Sequence, residues 1–272
     1  LMDHPLSNTG SEAPLIIFLH IPKTAGTTVN HILAQSGLAG QDHFQNWFNR
    51  PIEAQKKLAL LDWISGHATF QQMRAFAAQH SARHMRLFSA MRSPISQIAS
   101  HYNWLIEIFH KSTAFYEGHP QSIKVISERI RTSDNENPAV VIEQIKLAEG
   151  LFLNQQSRML LGNDASQLSE EQILNRLQAY EFVATEQTLD LLIEKMIGAA
   201  TPILSYENKS GYHFDPAVFR TPQMQEFLSE HHKTDMVIYD ILMRHGGCFP
   251  PSKSFASEKA GLISTGQQQT GH

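Results

Sequence analysis

The sequence has one cysteine, Cys248, among 272 residues. A single thiol excludes an intramolecular disulfide framework and fits a reducing compartment. Long apolar runs are missing too: no stretch reaches the roughly 18 apolar residues of a membrane span. The N-terminal segment LMDHPLSNTGSEAP lacks the basic-then-apolar order of a signal peptide. We therefore expect a soluble, cytoplasmic protein without a membrane span, although an anchor in a longer natural chain stays open. Cys248 is interpreted as a bystander near the end of the last helix.

A strong excess of either charge is also absent, since the net charge is −4. This balance argues against a general nucleic-acid binder. With 42% hydrophobic residues, the chain can bury a full core, and we expect a single α/β domain over residues 14–248. Residues 1–13 are predicted to form a flexible polar arm, and the Ser/Gly/Gln-rich residues 249–272 a disordered tail.

The chain lacks the G-x-x-x-x-G-K-[ST] motif that holds nucleoside triphosphates. Instead, LIIFLHIPKTAGTTV (residues 15–29) joins an apolar run to a short loop with one lysine, Lys23. The run predicts a buried strand, and the loop predicts an anion-binding turn at a helix start. Gly26 permits a close approach of the backbone to a ligand, while Thr27 and Thr28 add hydroxyl donors. The alternative is an ordinary strand-to-helix turn with a solvated lysine.

Apolar runs and helical periodicities alternate along the rest of the chain. Strands are predicted at 15–19, 62–66, 85–90, 181–185 and 202–206. Strands separated by helices indicate an α/β fold with a P-loop-like core of four to five parallel strands and helices on both faces. In such sheets ligands bind beyond the carboxyl ends of the strands, which brings together the loops 20–28, 66–69 and 92–96.

Arg92 follows the third predicted strand, and Ser100 lies eight positions later, about two turns into a helix that starts near Pro94. An arginine fork and a hydroxyl that converge on one oxyanion make a second phosphate site, separate from the loop around Lys23. The alternative is an arginine that caps strand or helix ends, with Ser100 packed between helices.

Five motifs occur in an order that resembles one known family. They are HIPKTAGTT, GHATF (66–70), R-x-P-x-x-x-x-x-S-x-Y (92–102), NQQSRMLLG (154–162) and EFVATE (181–186). The combination resembles the sulfotransferases that use 3′-phosphoadenosine 5′-phosphosulfate, particularly the carbohydrate branch that includes the heparan sulfate 2-O-sulfotransferases. The resemblance covers residues 15–245, and the first motif is its most specific part.

The resemblance implies a donor site in two halves. The residues that match the family's loop for the 5′-phosphosulfate are Lys23, Thr24, Ala25, Gly26, Thr27 and Thr28. Arg92 and Ser100 match the pair that binds the 3′-phosphate, and His67 matches the histidine proposed in that branch as the base for the acceptor hydroxyl. Residues 208–210 fall where such enzymes often close a loop over the nucleotide.

Sulfuryl transfer to an alcohol resembles phosphoryl transfer, with negative charge growing on the bridging oxygen. Lys23 and the loop N–H groups can meet that charge without a metal ion, so we expect no metal site. A histidine titrates near neutral pH, which suits His67 as the base. Alternatives are a purely structural His67, with His20, His101 or glutamates around Glu53 as the base. The acceptor is expected to be a carbohydrate or another small alcohol, in contact with residues 104–149.

The sequence departs from the family at its second box, which commonly reads R-D-P-x-E-R. Ser93, Ser96 and Gln97 stand at the acidic and basic positions, so the departure concerns the acceptor and activity more than donor binding. Two other functions stay open. One is a nucleotide-dependent phosphotransferase that uses the Lys23 loop, and the other is a non-catalytic relative that acts as a binding protein.

Overall fold

The computed structural model describes residues 13–198 and 211–251. The predicted strand at 202–206, the predicted loop at 208–210 and nearly all of the predicted arm and tail lie outside these residues. The strands are β1 (Leu15–Leu19), β2 (Gly40–Gln41), β3 (Trp63–Gly66), β4 (Met85–Ala90), β5 (Phe182–Ala184) and β6 (Cys248–Phe249). The helices are α1 (Gly26–Gln35), α2 (Pro51–Leu58), α3 (Phe70–His80), α4 (Pro94–Lys111), α5 (Thr113–Glu117), α6 (Gln121–Arg131), α7 (Pro138–Lys146), α8 (Glu149–Phe152), α9 (Gln155–Leu161), α10 (Glu170–Leu177), α11 (Leu189–Ile197), α12 (Pro222–His231) and α13 (Lys233–Arg244).

The strands form one mixed sheet in the order β2-β3-β1-β4-β5-β6. Neighbours from β2 to β5 are parallel, whereas β6 is antiparallel to β5. The prediction of an α/β fold with four to five parallel strands is confirmed by β1 to β5, and β6 adds an antiparallel edge strand that was not predicted. Gly246 and Gly247 take positive φ angles of 83° and 81° and turn the chain from α13 onto β5. Cys248 is therefore a buried strand residue rather than a helix end, and Phe249 pairs with Val183.

The central strand β1 is buried on both faces, as its unbroken apolar run predicts. Leu15, Ile17 and Leu19 pack with α2, α3, α9, α10 and α13 on one face. Ile16 and Phe18 pack with α1 and α11 on the other. A third apolar cluster joins α4, α6, α7, α8 and α12. Within the described ranges, no helix has the length and apolar character needed to cross a membrane.

One predicted helix is divided in the structure. The pattern at 151–160 predicts a continuous helix, but α8 ends at Phe152 and α9 begins at Gln155. Between them Asn154 takes a left-handed backbone with φ of 51°. Asparagine tolerates this region better than most residues, so it separates two short helices that apolar periodicity alone merges.

The ends of β1, β3 and β4 position three loops. Because β1 lies between β3 and β4 and all three are parallel, the segments after Leu19, Gly66 and Ala90 leave the sheet at the same edge. The chain passes from β1 to β3 on one side and then to β4 on the other. A crevice opens at such a switch point, and it is the usual ligand position in sheets of this kind.

Candidate functional site

The loop after β1 has a strained backbone. Lys23 and Ala25 have φ angles of 67° and 69°, a region that residues with a Cβ rarely occupy. Between them, the hydroxyl of Thr24 donates to the carbonyl of Ile21 at 2.9 Å. Thr24 therefore offers a ligand its N–H group and not its hydroxyl. Left-handed residues in alternation with others form concave backbone that binds anions.

The N–H groups of residues 23–27 donate to no acceptor in the described part of the chain. Helical bonding begins with the N–H of Thr28, which donates to the carbonyl of Ala25 at 3.0 Å. The unused donors lie at the positive end of the α1 dipole, where an anion is favoured. Thr27 is exposed and Thr28 is half-buried, so both side chains are at least partly accessible.

His20 supports this loop from behind. A Cβ on Gly26 would lie 1.8 Å from Cδ2 of His20, so the ring leaves room only for glycine. The His20 ring is buried and its centroid lies 4.2 Å from that of His67. Burial above all, together with His67, His43 and Lys23, lowers the pKa of His20 to about 3. His20 is therefore neutral at physiological pH and acts as a packing residue.

His67, directly after β3, is held in one tautomer. Its backbone N–H donates to Oε1 of Gln45 at 3.0 Å, and its Nδ1 lies 2.8 Å from the carbonyl oxygen of His20. Because a carbonyl only accepts, Nδ1 carries the proton and Nε2 keeps its lone pair. Burial lowers the pKa of His67, opposed in part by this hydrogen bond. The ring is thus neutral at pH 7, and Nε2 makes no hydrogen bond with any described residue, which is the form that a general base needs.

Lys23 lies among other cations. Burial is the main cause that lowers its pKa, Arg92 and Lys111 lower it further, and Glu107 raises it. Glu107 is already bound to Nε2 of His213 at 2.5 Å. Neither Lys23 nor Arg92 forms an ion pair with a described acidic side chain. Positive charge that is concentrated without a counter-ion attracts an anionic ligand.

Arg92 is held by its backbone and leaves its side chain open. Its N–H donates to Oε1 of Gln156 at 2.9 Å, and its carbonyl accepts from Nε2 of Gln156 at 3.0 Å. The guanidinium donates to no acceptor among the described residues. Ser100 is half-buried on α4, and its hydroxyl forms no hydrogen bond with a described residue. The structure therefore brings Arg92 close to Lys23, whereas no hydrogen bond joins Arg92 to Ser100.

Gln97, Gln155 and Gln156 lie behind Lys23 and Arg92, and their roles were not recognised from the sequence. Gln97 is fully buried, and its Nε2 donates to the carbonyl of Pro22 at 3.0 Å and to Oε1 of Gln155 at 3.0 Å. Gln156 binds the backbone of Arg92. The motif NQQSRMLLG contains two of these residues. Its position in the ordered series of motifs was the one sequence feature that could have indicated that they lie at the site.

The alternative bases are less well placed. His101 is buried between the rings of Trp104 and Phe152, with centroids at 5.7 and 5.6 Å. Burial, followed by the charge of Lys23, lowers the pKa of His101 to about 3. Glu53 is exposed on α2. His67 is thus the one of these candidates that combines an accessible lone pair with a fixed ring.

Among the described residues, no group of three or more His, Cys, Asp and Glu side chains is arranged to hold a metal ion. Comparison with known protein families and with curated proteins finds no match for this chain. Its function is therefore inferred from the geometry of the three loops and from the order of the motifs.

Proposed function

We propose that this chain is a sulfotransferase that uses 3′-phosphoadenosine 5′-phosphosulfate as donor and a hydroxyl compound, a carbohydrate or another small alcohol, as acceptor. The observation that carries the proposal is that Lys23 and Arg92, in the crevice between the loops, lie close enough for their charges to interact, while neither forms an ion pair with a described acidic side chain. The unused N–H groups of residues 23–27 and the free Nε2 of His67 border the loops of that crevice. The order of the five motifs supports the same reading.

The residues present fit a donor with two separate phosphate groups. In this proposal Lys23 and the backbone of its P-loop-like turn bind the 5′ end, with hydroxyl donors from Thr27 and Thr28. Arg92 binds the 3′-phosphate through its open guanidinium, and Ser100 adds a hydroxyl. Arginine suits this role because its planar fork matches phosphate oxygens.

The proposed chemistry needs a charge stabiliser and a base. The donor supplies a sulfuryl group on a phosphate leaving group, and the acceptor oxygen takes the place of that phosphate on sulfur. Lys23 neutralises the negative charge that grows on the leaving phosphate. Nε2 of His67 accepts the hydroxyl proton, since its lone pair is free and Nδ1 is already protonated.

We place the acceptor against the outer end of α4 and the helices that follow it. Phe109 and Phe115 are 41% and 39% exposed there. The guanidinium of Arg131 lies 3.9 Å from the ring centre of Phe109, and Nζ of Lys111 lies 4.9 Å from that of Phe115. The charge of Lys111 also lowers the pKa of Lys23, so this surface acts electrostatically on the proposed donor site. Exposed aromatic surface of this kind commonly marks a binding site.

Thermal unfolding with three ligands tests the proposal. Adenosine 3′,5′-bisphosphate at one hundred times its Kd is expected to stabilise the fold by about 2.7 kcal/mol. For a domain of this size, that equals a rise in Tm of roughly 5 to 10 °C. AMP at the same concentration should give a smaller shift, because it lacks the 3′-phosphate and binds less tightly. A shift with ATP and Mg²⁺ and none with the bisphosphate would overturn the proposal in favour of a phosphotransferase.

A transfer assay then separates an enzyme from a binding protein. Donor labelled in the sulfuryl group is incubated with a panel of carbohydrates and small alcohols, and labelled product is measured. Transfer that is lost in Lys23→Ala supports the proposed function. Bisphosphate binding with no transfer to any member of a broad panel would favour the non-catalytic alternative.

A further inference from the structure

The segment 154–156 bonds Arg92 directly and is linked to the Lys23 loop through Gln97. We propose that it is a positioning element that sets the spacing between the Lys23 loop and Arg92. This inference rests on the proposed function, because the spacing matters for a ligand with two phosphate groups. Its residues are positioning residues, since their side chains act through the loops and not on the ligand.

The first connection runs from the segment to the Lys23 loop. Oε1 of Gln155 accepts from Nε2 of Gln97, and the same nitrogen donates to the carbonyl of Pro22, both at 3.0 Å. Gln97 is fully buried and Gln155 is nearly so. Pro22 directly precedes Lys23, the first left-handed residue of the loop. The two hydrogen bonds therefore fix the point at which the chain enters its strained turn.

The second connection runs from the segment to Arg92. The Gln156 side chain, which is fully buried, binds both the N–H and the carbonyl of Arg92, at 2.9 and 3.0 Å. Two hydrogen bonds to one residue fix both of its peptide planes. Because the backbone carries this contact, the guanidinium stays available for a ligand.

The segment itself is anchored elsewhere. The buried carboxylate of Asp235 accepts from the N–H groups of Gln156 and Ser157, at 3.1 and 2.7 Å. Nδ1 of His232 accepts from the N–H of Asn154 at 2.9 Å. Bonds from backbone N–H groups to a charged carboxylate are among the stronger hydrogen bonds in proteins. The start of α9 is thus fixed to the start of α13. The Lys23 loop and Arg92 are therefore both held in position relative to the same fixed segment.

Helix geometry explains how adjacent residues serve two loops. With 3.6 residues per turn, consecutive side chains on a helix point about 100° apart. Gln155 therefore reaches Gln97 on α4, which in turn bonds Pro22, while Gln156 reaches Arg92 at the end of β4. The phosphates of one donor have a narrow range of separations, and a misplacement of about 1 Å can cost about a hundredfold in rate.

Volume-matched substitutions test the inference through nucleotide affinity. Gln155→Met and Gln156→Met remove the hydrogen bonds and nearly keep the side-chain volume. Gln144→Met is the control, because Gln144 is also buried and bonds Arg129 rather than either loop. The Kd values of adenosine 3′,5′-bisphosphate and AMP are measured by calorimetry, well below the Tm of each variant.

The two variants are expected to differ in pattern. Gln156→Met should weaken bisphosphate binding about tenfold and AMP binding little, because only the bisphosphate uses Arg92. Gln155→Met should weaken both nucleotides to a similar extent, and Gln144→Met should change neither. Wild-type affinities in both glutamine variants, or the same pattern in the control, would overturn the inference. If Gln156→Met does not fold, Gln156→Glu takes its place, because it keeps an acceptor for the Arg92 N–H and sets a carboxylate oxygen, in place of the amide donor, against the Arg92 carbonyl.

Amide exchange gives a readout that needs no nucleotide. The N–H of Arg92 donates to Gln156, so its exchange should be faster in Gln156→Met and unchanged in Gln155→Met. Should the wild type bind neither nucleotide, the proposed function fails, and amide exchange alone decides whether the segment positions Arg92. Unchanged exchange at Arg92 in Gln156→Met would overturn the inference.

Discussion

His67 donates its Nδ1 proton to the backbone carbonyl of His20 across 2.8 Å, which joins the loops that follow β3 and β1. The two rings are tilted by 40° with centroids 4.2 Å apart, and the His20 ring packs against Gly26. The orientation of the proposed base is therefore tied to the packing of the proposed donor loop. A change in the loop backbone is expected to alter the base as well.

Replacement of His67 by alanine tests its role as the base. Turnover should fall by about 10²- to 10⁴-fold, the usual contribution of general-base catalysis, while bisphosphate affinity stays within about threefold. The matched control is His43→Ala, since the exposed His43 ring lies edge-on to His67 with centroids 5.4 Å apart. Radiolabelled transfer and calorimetry provide the two measurements.

The pH profile offers a second test of His67. Burial places the pKa of His67 below its ordinary value of 6.5, so the wild-type ring keeps its lone pair down to that pH. We expect the turnover of the wild type to fall only at lower pH, where protonation removes the base. If His67→Ala kept near-wild-type turnover from pH 6 to 9, another base would have to be sought.

Replacement of Lys23 and replacement of Arg92 are expected to change different kinetic quantities. Lys23→Ala removes the group that meets charge on the leaving phosphate, and loss of such a group typically lowers kcat by about 10²- to 10³-fold. Arg92→Ala removes charged hydrogen bonds to the 3′-phosphate, so donor Kd should rise by roughly tenfold or more with a smaller change in kcat. Lys56→Ala, at an exposed position on α2, is the control. Equal, small effects of both changes would contradict the assigned roles.

The strands that build the site could be predicted because their sequences end abruptly. The predicted bounds of β1 and β4 match the structure, since apolar runs end before Pro22 and Pro94. By contrast, β2 and β6 have two residues each, too few for any period to be visible. Their positions follow from tertiary packing against β3 and β5.

The same contrast holds for the site. Lys23, His67 and Arg92 were identified because each follows a strand, and parallel strands bring their ends together. Gln97 was interpreted as a departure from the family pattern, yet it binds the carbonyl of Pro22, 75 positions earlier in the chain. No spacing rule predicts a hydrogen bond over that separation, so its role required the structure.

Two glycine substitutions test the packing behind the donor loop. In Gly26→Ala the new Cβ would lie 1.8 Å from the His20 ring, so the ring or the backbone must move. Overpacking of this kind typically costs about 1 to 3 kcal/mol. Gly150→Ala is the control, because its Cβ would meet nothing within 4 Å and its residue lies in α8. We expect Gly26→Ala to lower both stability and bisphosphate affinity and Gly150→Ala to leave both nearly unchanged, as measured by urea unfolding and calorimetry.

Two buried histidines are expected to make the stability of the fold depend on pH. The pKa values of His20 and His101 are lowered from 6.5 to about 3, mainly by burial. Between these values the unfolded chain binds more protons than the folded protein, so stability falls as pH decreases below 6.5. Each of the two histidines lowers the free energy of unfolding by about 1.4 kcal/mol per pH unit in this window, which amounts to about 2 kcal/mol at pH 5.

His101→Gln isolates one of these contributions. Removing the titrating ring should reduce the slope of the free energy of unfolding against pH, between pH 6.5 and 4.5, by the amount that corresponds to about one proton. The variant is expected to be less stable than the wild type at pH 7, because it loses the packing of the ring. His231→Gln, at an exposed histidine of α12, is the matched control. Urea unfolding at half-unit pH steps measures the slope for all three proteins. A slope in His101→Gln equal to that of the wild type would show that His101 takes up its proton in the folded state, contrary to its burial between Trp104 and Phe152.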